Sequence, residues 1–413
     1  MIRNHEELKK VVEREVNNVK ITDIHTHIYS KDFNELLLWG IDELLTYHYL
    51  IAEFFRYSNM DYDKFFKMSK KEQAELVWNT LFIENTPISE AQRGVLTILN
   101  KLGLDTANKD LEYYRNYFKN IPLEEYIDKV FEVSNVKCVV MTNDPFDDYE
   151  RPIWEKGGNK DERFKAALRI DALLMNYPKA MEKMINMGYD VSLNLNEKTI
   201  CEIKRFLNDW AERMGALYMA ASLPPSFNVP EDSARWTILD RCILQVCRER
   251  NMPFALMIGV NKNVNYELGL AGDSVGRANN SALEYLCRNY PENKFMITYL
   301  SRENQHEVLV TARKFKNLFV FGCWWFLNNP VLIEEMTRMR FELLGLSFMP
   351  QHSDARVLDQ LIYKWEHSRQ IISKVLYDKY SDIFDTGFAI SEEDVRRDVE
   401  NLFGNNFYKF LNA

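Results

Sequence analysis

Two histidines one residue apart, in Asp23-Ile24-His25-Thr26-His27, offer the clearest metal-ligating chemistry in the chain, which has seven histidines in all. They follow the apolar run VKITDIH (19–25). Residues two apart in a strand share a face, so the two imidazoles are expected to project together and bind one divalent cation through neutral nitrogens. The competing reading is a pair of surface histidines in a turn. A third ligand has to be a carboxylate or a histidine from another strand end. Asp354, in Gln351-His352-Ser353-Asp354-Ala355-Arg356, fits. Two histidines and one aspartate leave positions open for water or substrate, the mark of a catalytic metal. Arg356, two residues on, suits an oxyanion or depresses a neighbouring pKa. Asp354 fits equally as the N-cap of a helix that starts here, with Arg356 turned to solvent. His352 reads as a supporting or structural residue rather than a ligand.

Three further places carry polar or aromatic side chains worth weighing. Arg169 ends the apolar run FKAALRI (164–170); an inward arginine there suits a substrate carboxylate by bidentate pairing, and an ion pair with Asp144 or Asp171 is the alternative. His48-Tyr49 lies in a helix-like stretch where His48 shares a face with Ile41, Leu44, Leu45 and Ile51, a pattern that favours a core histidine and a packed tyrosine. Trp324-Trp325 ends another apolar run. Adjacent strand residues face opposite ways, so at most one of the two is expected in a pocket.

These residues sit at the ends of recurring strand-like runs. Besides the two already given, the runs are VKCVVMT (136–142), ALYMAASL (216–223), FALMIGV (254–260), KFMITYL (294–300), LFVFGCW (318–324) and LGLSFMP (344–350). They are rich in Val, Ile, Phe and Tyr, and Gly, Pro, Asn or Asp bounds them, as for buried strands. Amphipathic stretches such as WTILDRCILQVCRERN (236–251) and SALEYLCRNY (281–290) separate them. That alternation predicts parallel βα units. Eight units predict an α/β fold of the closed (β/α)8, TIM-type barrel, with a doubly wound open sheet as the rival. No Gly-rich turn follows the first run, which weakens a dinucleotide site. In a barrel the carboxyl strand ends hold the active site, where the residues above cluster. Between the first and second runs, 31–130 lacks strand signal. IDELLTYHYLIAEFFRYS reads as helical, Ser69 to Glu72 has capping-box spacing, and TPISEAQRGVLTILNKLG stops at Gly103. The whole of 1–413 is therefore expected to be one barrel domain, with 31–130 a helical insertion over its mouth. Helices are expected over 355–383 and 392–403, the second capped by Ser391 and stopped by Gly404.

The bulk numbers exclude several classes. A formal charge of −9 argues against nucleic acid, which needs a basic patch. No segment approaches the ~18 apolar residues of a membrane span, and MIRNHEELKKVVEREV lacks the apolar core of a secretion signal. The six cysteines contain no CxxC pair, so neither a zinc finger nor a disulfide framework is expected and the expected compartment is the reducing cytoplasm. No segment announces an interface, and a homo-oligomer is compatible with the sequence.

HxH on the first strand with an aspartate after the eighth resembles the amidohydrolase superfamily. ITDIHTH, IDELLTYHYL, MTNDPFDD, FGCWWFLNNP, MTRMRFELLG and PQHSDARVLDQLIYKW, in that order over nearly the whole chain, resemble uronate (glucuronate) isomerase in its shorter bacterial branch. The resemblance implies aldose–ketose isomerisation of hexuronates, D-glucuronate to D-fructuronate and D-galacturonate to D-tagaturonate. It implies one divalent metal, Zn first with Mn, Fe or Co open, on His25, His27 and Asp354. It implies substrate contact or proton transfer by His48, Tyr49, Arg169, Trp324 and Arg356, with Tyr49, Asp354 and Arg356 the catalytic set, and so displaces the packed reading of His48-Tyr49. Two-metal hydrolases of the superfamily take a histidine each from the fifth and sixth strands, whereas this chain has no histidine between His48 and His306. A one-metal isomerase is the reading that fits. The alternatives are a mononuclear hydrolase or decarboxylase on the same scaffold, and a barrel that binds a sugar acid without turnover.

Overall fold

In the computed structural model, which describes all 413 residues, seven strands form one parallel sheet. Their order is β1 (Ile21–Thr26), β2 (Val136–Asn143), β3 (Phe164–Arg169), β4 (Met219–Leu223), β5 (Phe254–Ile258), β8 (Phe295–Tyr299) and β9 (Leu318–Val320). A two-strand antiparallel pair, β6 (Val260–Asn261) with β7 (Ser274–Val275), lies in the excursion after β5. Each of the seven falls within or overlaps an expected run. β5 and β8 are buried along their whole length, as strands flanked by helices outside and packed side chains inside must be. The inner side chains, among them Ile24, Val140, Ala167, Ala255, Met296 and Phe319, form their own apolar cluster.

The eighth run does not become a strand. Only Met349 bridges to the sheet, opposite Phe321, through Met349 N–H to the Val320 carbonyl at 3.1 Å and Gly322 N–H to the Met349 carbonyl at 2.9 Å. The preceding helix Pro330–Leu344 ends at Gly345, and Pro350 has no N–H to give the ladder, so little chain is left to pair. The fully buried Arg340 takes over the closure. It donates to the carbonyls of Gly322 at 2.6 Å and Pro350 at 3.0 Å. On the far side Asp354 N–H donates to the His25 carbonyl at 3.3 Å and His27 N–H to the Ala355 carbonyl at 2.7 Å, and the segment joins β9 to β1.

Between β1 and β2 the chain is helical: its longer helices are Lys70–Trp78, Glu90–Lys101, Leu111–Asn120 and Leu123–Ser134. Ser69 with Glu72, and Ser89 with Gln92, form capping boxes. The stretch containing His48 breaks into two short helices, Ile41–Leu45 and His48–Phe54, so the face assumed for His48 is not continuous through it. One apolar cluster joins Leu45 and Ile98 of this region to Leu8 and Val12 of the N-terminal helix and to Ile362 of the helix Gln360–Phe384.

Gly404 does not end the chain's helical structure. Past the helix Glu392–Glu400 a kinked turn leads into Asn406–Asn412, which closes the amino end of the barrel with the fully buried Phe407 and with Phe410 stacked on Phe319 at 5.0 Å. Gly404 there lies against Thr22, at the start of β1. No helix is long and apolar enough to cross a membrane.

Candidate active site

β1 delivers the histidines through an irregularity. Strict alternation would send His25 to the opposite side from Ile24, yet Ile24 belongs to the inner cluster and His25 lines the cavity above it. The β1–β2 register slips between Asp23 and Thr26, and such a slip re-aims side chains. Asp354 arrives in a left-handed conformation, φ 53°, which aspartate tolerates better than most residues. Asp23 fixes this junction: its buried carboxylate accepts from Ser353 N–H at 3.1 Å and from the Trp365 indole at 2.8 Å.

Asp354 Oδ1 stands 3.7 Å from His25 Nε2 and 3.5 Å from His27 Nε2. The ligand atoms of the three residues lie within 4.8 Å of one another. These separations are too long for hydrogen bonds, and both His25 Nε2 and Asp354 Oδ1 are buried with no partner at all. Buried polar atoms are ordinarily satisfied, so this gap fits a cation. The proton on His25 points the same way. Its Nδ1 lies 3.3 Å from the Tyr218 hydroxyl and 3.4 Å from the Thr142 hydroxyl. Both hydroxyls already donate, Tyr218 to the Ile24 carbonyl at 2.7 Å and Thr142 to the Thr26 carbonyl at 2.9 Å. Nδ1 must therefore carry the hydrogen, and the Nε2 lone pair faces the gap, as outer partners of metal-bound histidines arrange. Burial pushes His25 down to about 3, with the Arg169 charge adding to it. Burial, then His25 and the two arginines, holds His27 well below the ordinary histidine range. Burial raises the Asp354 carboxyl to about 7. Both imidazoles are thus neutral and ready to ligate at physiological pH.

The cavity above them, counted together with the solvent at its open mouth, spans about 720 Å³ of space not filled by protein atoms. Its walls include His25, His27, His48, Arg169, Trp324, Asp354 and Arg356, so seven of the eight expected site residues face one space. Tyr49 is the exception. Tyr47 lines the cavity, while the Tyr49 ring packs edge-on against Tyr47 at 4.9 Å and His48 at 4.6 Å. Both tryptophans line the cavity, against the expectation of one. The strand ends at Val320, and Trp325 begins a helical turn at φ 45°, so alternation no longer applies.

Arg169 faces the cavity and also makes the alternative ion pair, with Asp171. It lines the cavity and its Nε donates to Asp171 Oδ2 at 2.6 Å, while Asp171 Oδ1 accepts from Ser222 N–H at 2.7 Å. Asp171 first, then Asp144, holds the guanidinium firmly charged. Arg356 has no ion pair or side-chain hydrogen bond, although it borders this cavity and the two next to it. His48 Nε2 is buried without a partner, and burial, helped by Arg356 and Lys364, pushes the ring down to about 3. His352 lies behind the ligands, its ring 5.2 Å from that of His25. Gly322, at φ 65°, makes room for it, since a β-carbon there would sit 1.6 Å from His352 Nδ1. Sequence reasoning missed Tyr47, Ser222, Lys262, Asp273 and the supporting Tyr218. Lys262 and Asp273 come from the β6–β7 excursion, which carries no motif.

No protein-family model matches the chain, and no curated protein does. Solved structures do. A crystal structure of a uronate isomerase from Bacillus halodurans C-125 is 55% identical, with a TM-score of 0.98 over 100% of this chain and 98% of that one. A uronate isomerase from Thermotoga maritima, at 17% identity and TM-score 0.78, covers 100% of both chains. A glucuronate isomerase from Caulobacter crescentus, at 14% and 0.79, covers 99% of this chain and 94% of its own. The last two show the shared barrel fold. The first, at its identity and coverage, shows that this chain belongs to the uronate isomerase family.

Proposed function

We propose that the chain is a uronate isomerase that interconverts D-glucuronate with D-fructuronate and D-galacturonate with D-tagaturonate. The observation that carries this reading is the unsatisfied His25–His27–Asp354 gap set between two cavity-lining arginines, in a chain 55% identical to a uronate isomerase over its full length. The gap would hold one divalent metal, Zn first and Mn, Fe or Co next, which supplies Lewis acidity toward the oxygens at C1 and C2.

The remaining work falls to side chains. Arg169, held in place by Asp171, takes the substrate carboxylate. His48, neutral and with a free Nε2, hydrogen-bonds a sugar oxygen beside it. Arg356, free of protein partners, stabilises the negative charge that develops as the C2 proton leaves. Trp324 and Trp325 wall the site and exclude water. The proton moved between C2 and C1 is assigned to Tyr49, which has to come forward past Tyr47 and His48 to meet the substrate, with Asp354, already on the cavity wall, the alternative carrier. Burial and the neighbouring Tyr47 raise the Tyr49 phenol well above its ordinary range, so this role needs positive charge beside the ring. Asp354 borders the cavity directly. We place the activity in the cytoplasm, consistent with six unpaired cysteines.

The test is to incubate metal-loaded protein with each hexuronate and follow ketose formation by NMR. Fructuronate or tagaturonate is expected from the wild type and not from His27→Ala. Metal-loaded wild type that forms neither ketose would overturn the reading.

A further inference from the structure

Lys364 is a buried cation that the mechanism above does not use. Its side chain is 4% exposed, a depth at which lysine is almost never found without a partner. Its two polar partners stand at the long end of hydrogen-bonding range: Nζ lies 3.3 Å from Glu90 Oε1 and 3.4 Å from the Asn328 carbonyl. Beyond them it faces aromatic rings. Nζ sits 4.8 Å from the Tyr363 ring centre and 5.5 Å from that of Tyr49.

The surroundings explain how the charge comes to be there. The helix Gln360–Phe384 starts just past Asp354 and Arg356. Gln360 ties the two together by accepting from the N–H of Arg356 at 2.9 Å and of Val357 at 3.1 Å, which brings Lys364, one turn on, behind the site. Glu90 comes from the helix Glu90–Lys101 of the region between β1 and β2. That helix approaches so closely at Gly94 that a β-carbon would sit 2.7 Å from the Tyr363 ring. Asn328 donates to the Ser353 carbonyl at 2.9 Å, so this neighbour of the ammonium is tied to the Asp354 segment.

We propose that Lys364 is a positioning residue for Tyr49: it holds a fixed positive charge against the tyrosine ring, and its ion pair with Glu90 ties its own helix to the helix Glu90–Lys101. A cation near the face of an electron-rich ring is attracted to it, and the attraction grows as the phenol gives up its proton. The proposal deepens the isomerase reading and rests on it for the consequence in turnover.

K364M is expected to lower kcat about 10- to 100-fold, with KM changed by no more than about twofold. K364R, which keeps the charge, should retain more turnover than K364M. A half-buried Glu90 left without its partner should also lower the melting temperature of K364M, and the neutral pair K364M/E90Q should recover that temperature but not kcat. The field itself is read without turnover by replacing Tyr49 with 4-cyanophenylalanine. Its nitrile band should shift between Lys364 and K364M, and between E90Q and K364M/E90Q. A double variant that recovers kcat together with melting temperature, or a nitrile band that ignores Lys364, would overturn the proposal. A wild type that makes no ketose while the nitrile band still responds would instead remove the isomerase reading and leave the Lys364–Tyr49 coupling in place.

Discussion

The two ends of the barrel are built to opposite rules. At the carboxyl end, His25 Nε2, His48 Nε2 and Asp354 Oδ1 are buried without partners, and Trp325 and Asp354 both hold left-handed backbone. At the amino end, beneath the same strands, the helix Asn406–Asn412 fits closely. Phe407 is fully buried, Phe410 stacks on Phe319, Asn406 donates to the carbonyls of Leu346 and Phe348, and Lys294 donates to that of Leu411. Unsatisfied atoms and unfavourable backbone cost stability, and at the mouth they fall on the ligating types His25, His48 and Asp354. The floor offsets that cost with packing. Substitutions at the mouth should therefore remove activity and spare the fold, and substitutions at the floor should do the reverse.

The sharpest break in that comparison is at the ligands. His27→Ala or Asp354→Asn should abolish turnover and metal retention while circular dichroism stays native; native-like turnover in either would refute the assigned triad. Next is Tyr49→Phe, expected to cut kcat by about 10²- to 10⁴-fold with metal content and KM retained. Near-normal kcat would pass the role to Asp354. Phe407→Ala at the floor should destabilise by about 3–5 kcal/mol in urea unfolding and leave kcat/KM of the folded protein unchanged. A loss of kcat/KM without loss of stability would erase the distinction between the two ends.

Smaller effects sharpen it. Tyr218→Phe removes one outer partner of His25 and should weaken metal affinity by about 10- to 100-fold, read by competition with a chelator. The pH dependence of metal binding follows from Asp354. Its carboxyl, raised to about 7, is protonated below that pH, and a cation must displace the proton; His25, pushed to about 3, and His27, also lowered, are already neutral. Affinity should therefore rise about tenfold per pH unit up to roughly 7 and then level off. Calorimetry in two buffers should find about one proton released at pH 6 and almost none at pH 8.5. Release of two at pH 6 would mean a protonated histidine.

Much of this architecture is legible in the amino-acid sequence. Seven strand runs stand out because strands buried on both faces read as continuous apolar stretches. HxH stands out because histidine is scarce and these two end the first run, and Asp354 because it follows the last one. The rest depends on tertiary context. His25 faces inward because the β1 register slips, and no pattern in DIHTH marks a slip. The eighth run reads as a strand by composition, but the bounds at Gly345 and Pro350 leave only Met349 paired. Trp325 escapes the alternation rule because the strand has already ended at Val320. Tyr47 rather than Tyr49 lines the cavity, beside a helix break just before His48 that the apolar pattern does not mark. Lys262 and Asp273 reach the cavity on an irregular excursion, where no periodicity exists to be read.

The most direct test of the single-metal centre is to strip the protein of metal and follow turnover of the preferred hexuronate as a divalent metal is added back. Ketose formation should be absent at the start, rise in proportion to metal and stop at about one metal per chain, as a triad with open positions requires. Full turnover by the stripped protein, or a rise that continues to two metals per chain, would contradict a single His25–His27–Asp354 centre as the seat of the chemistry.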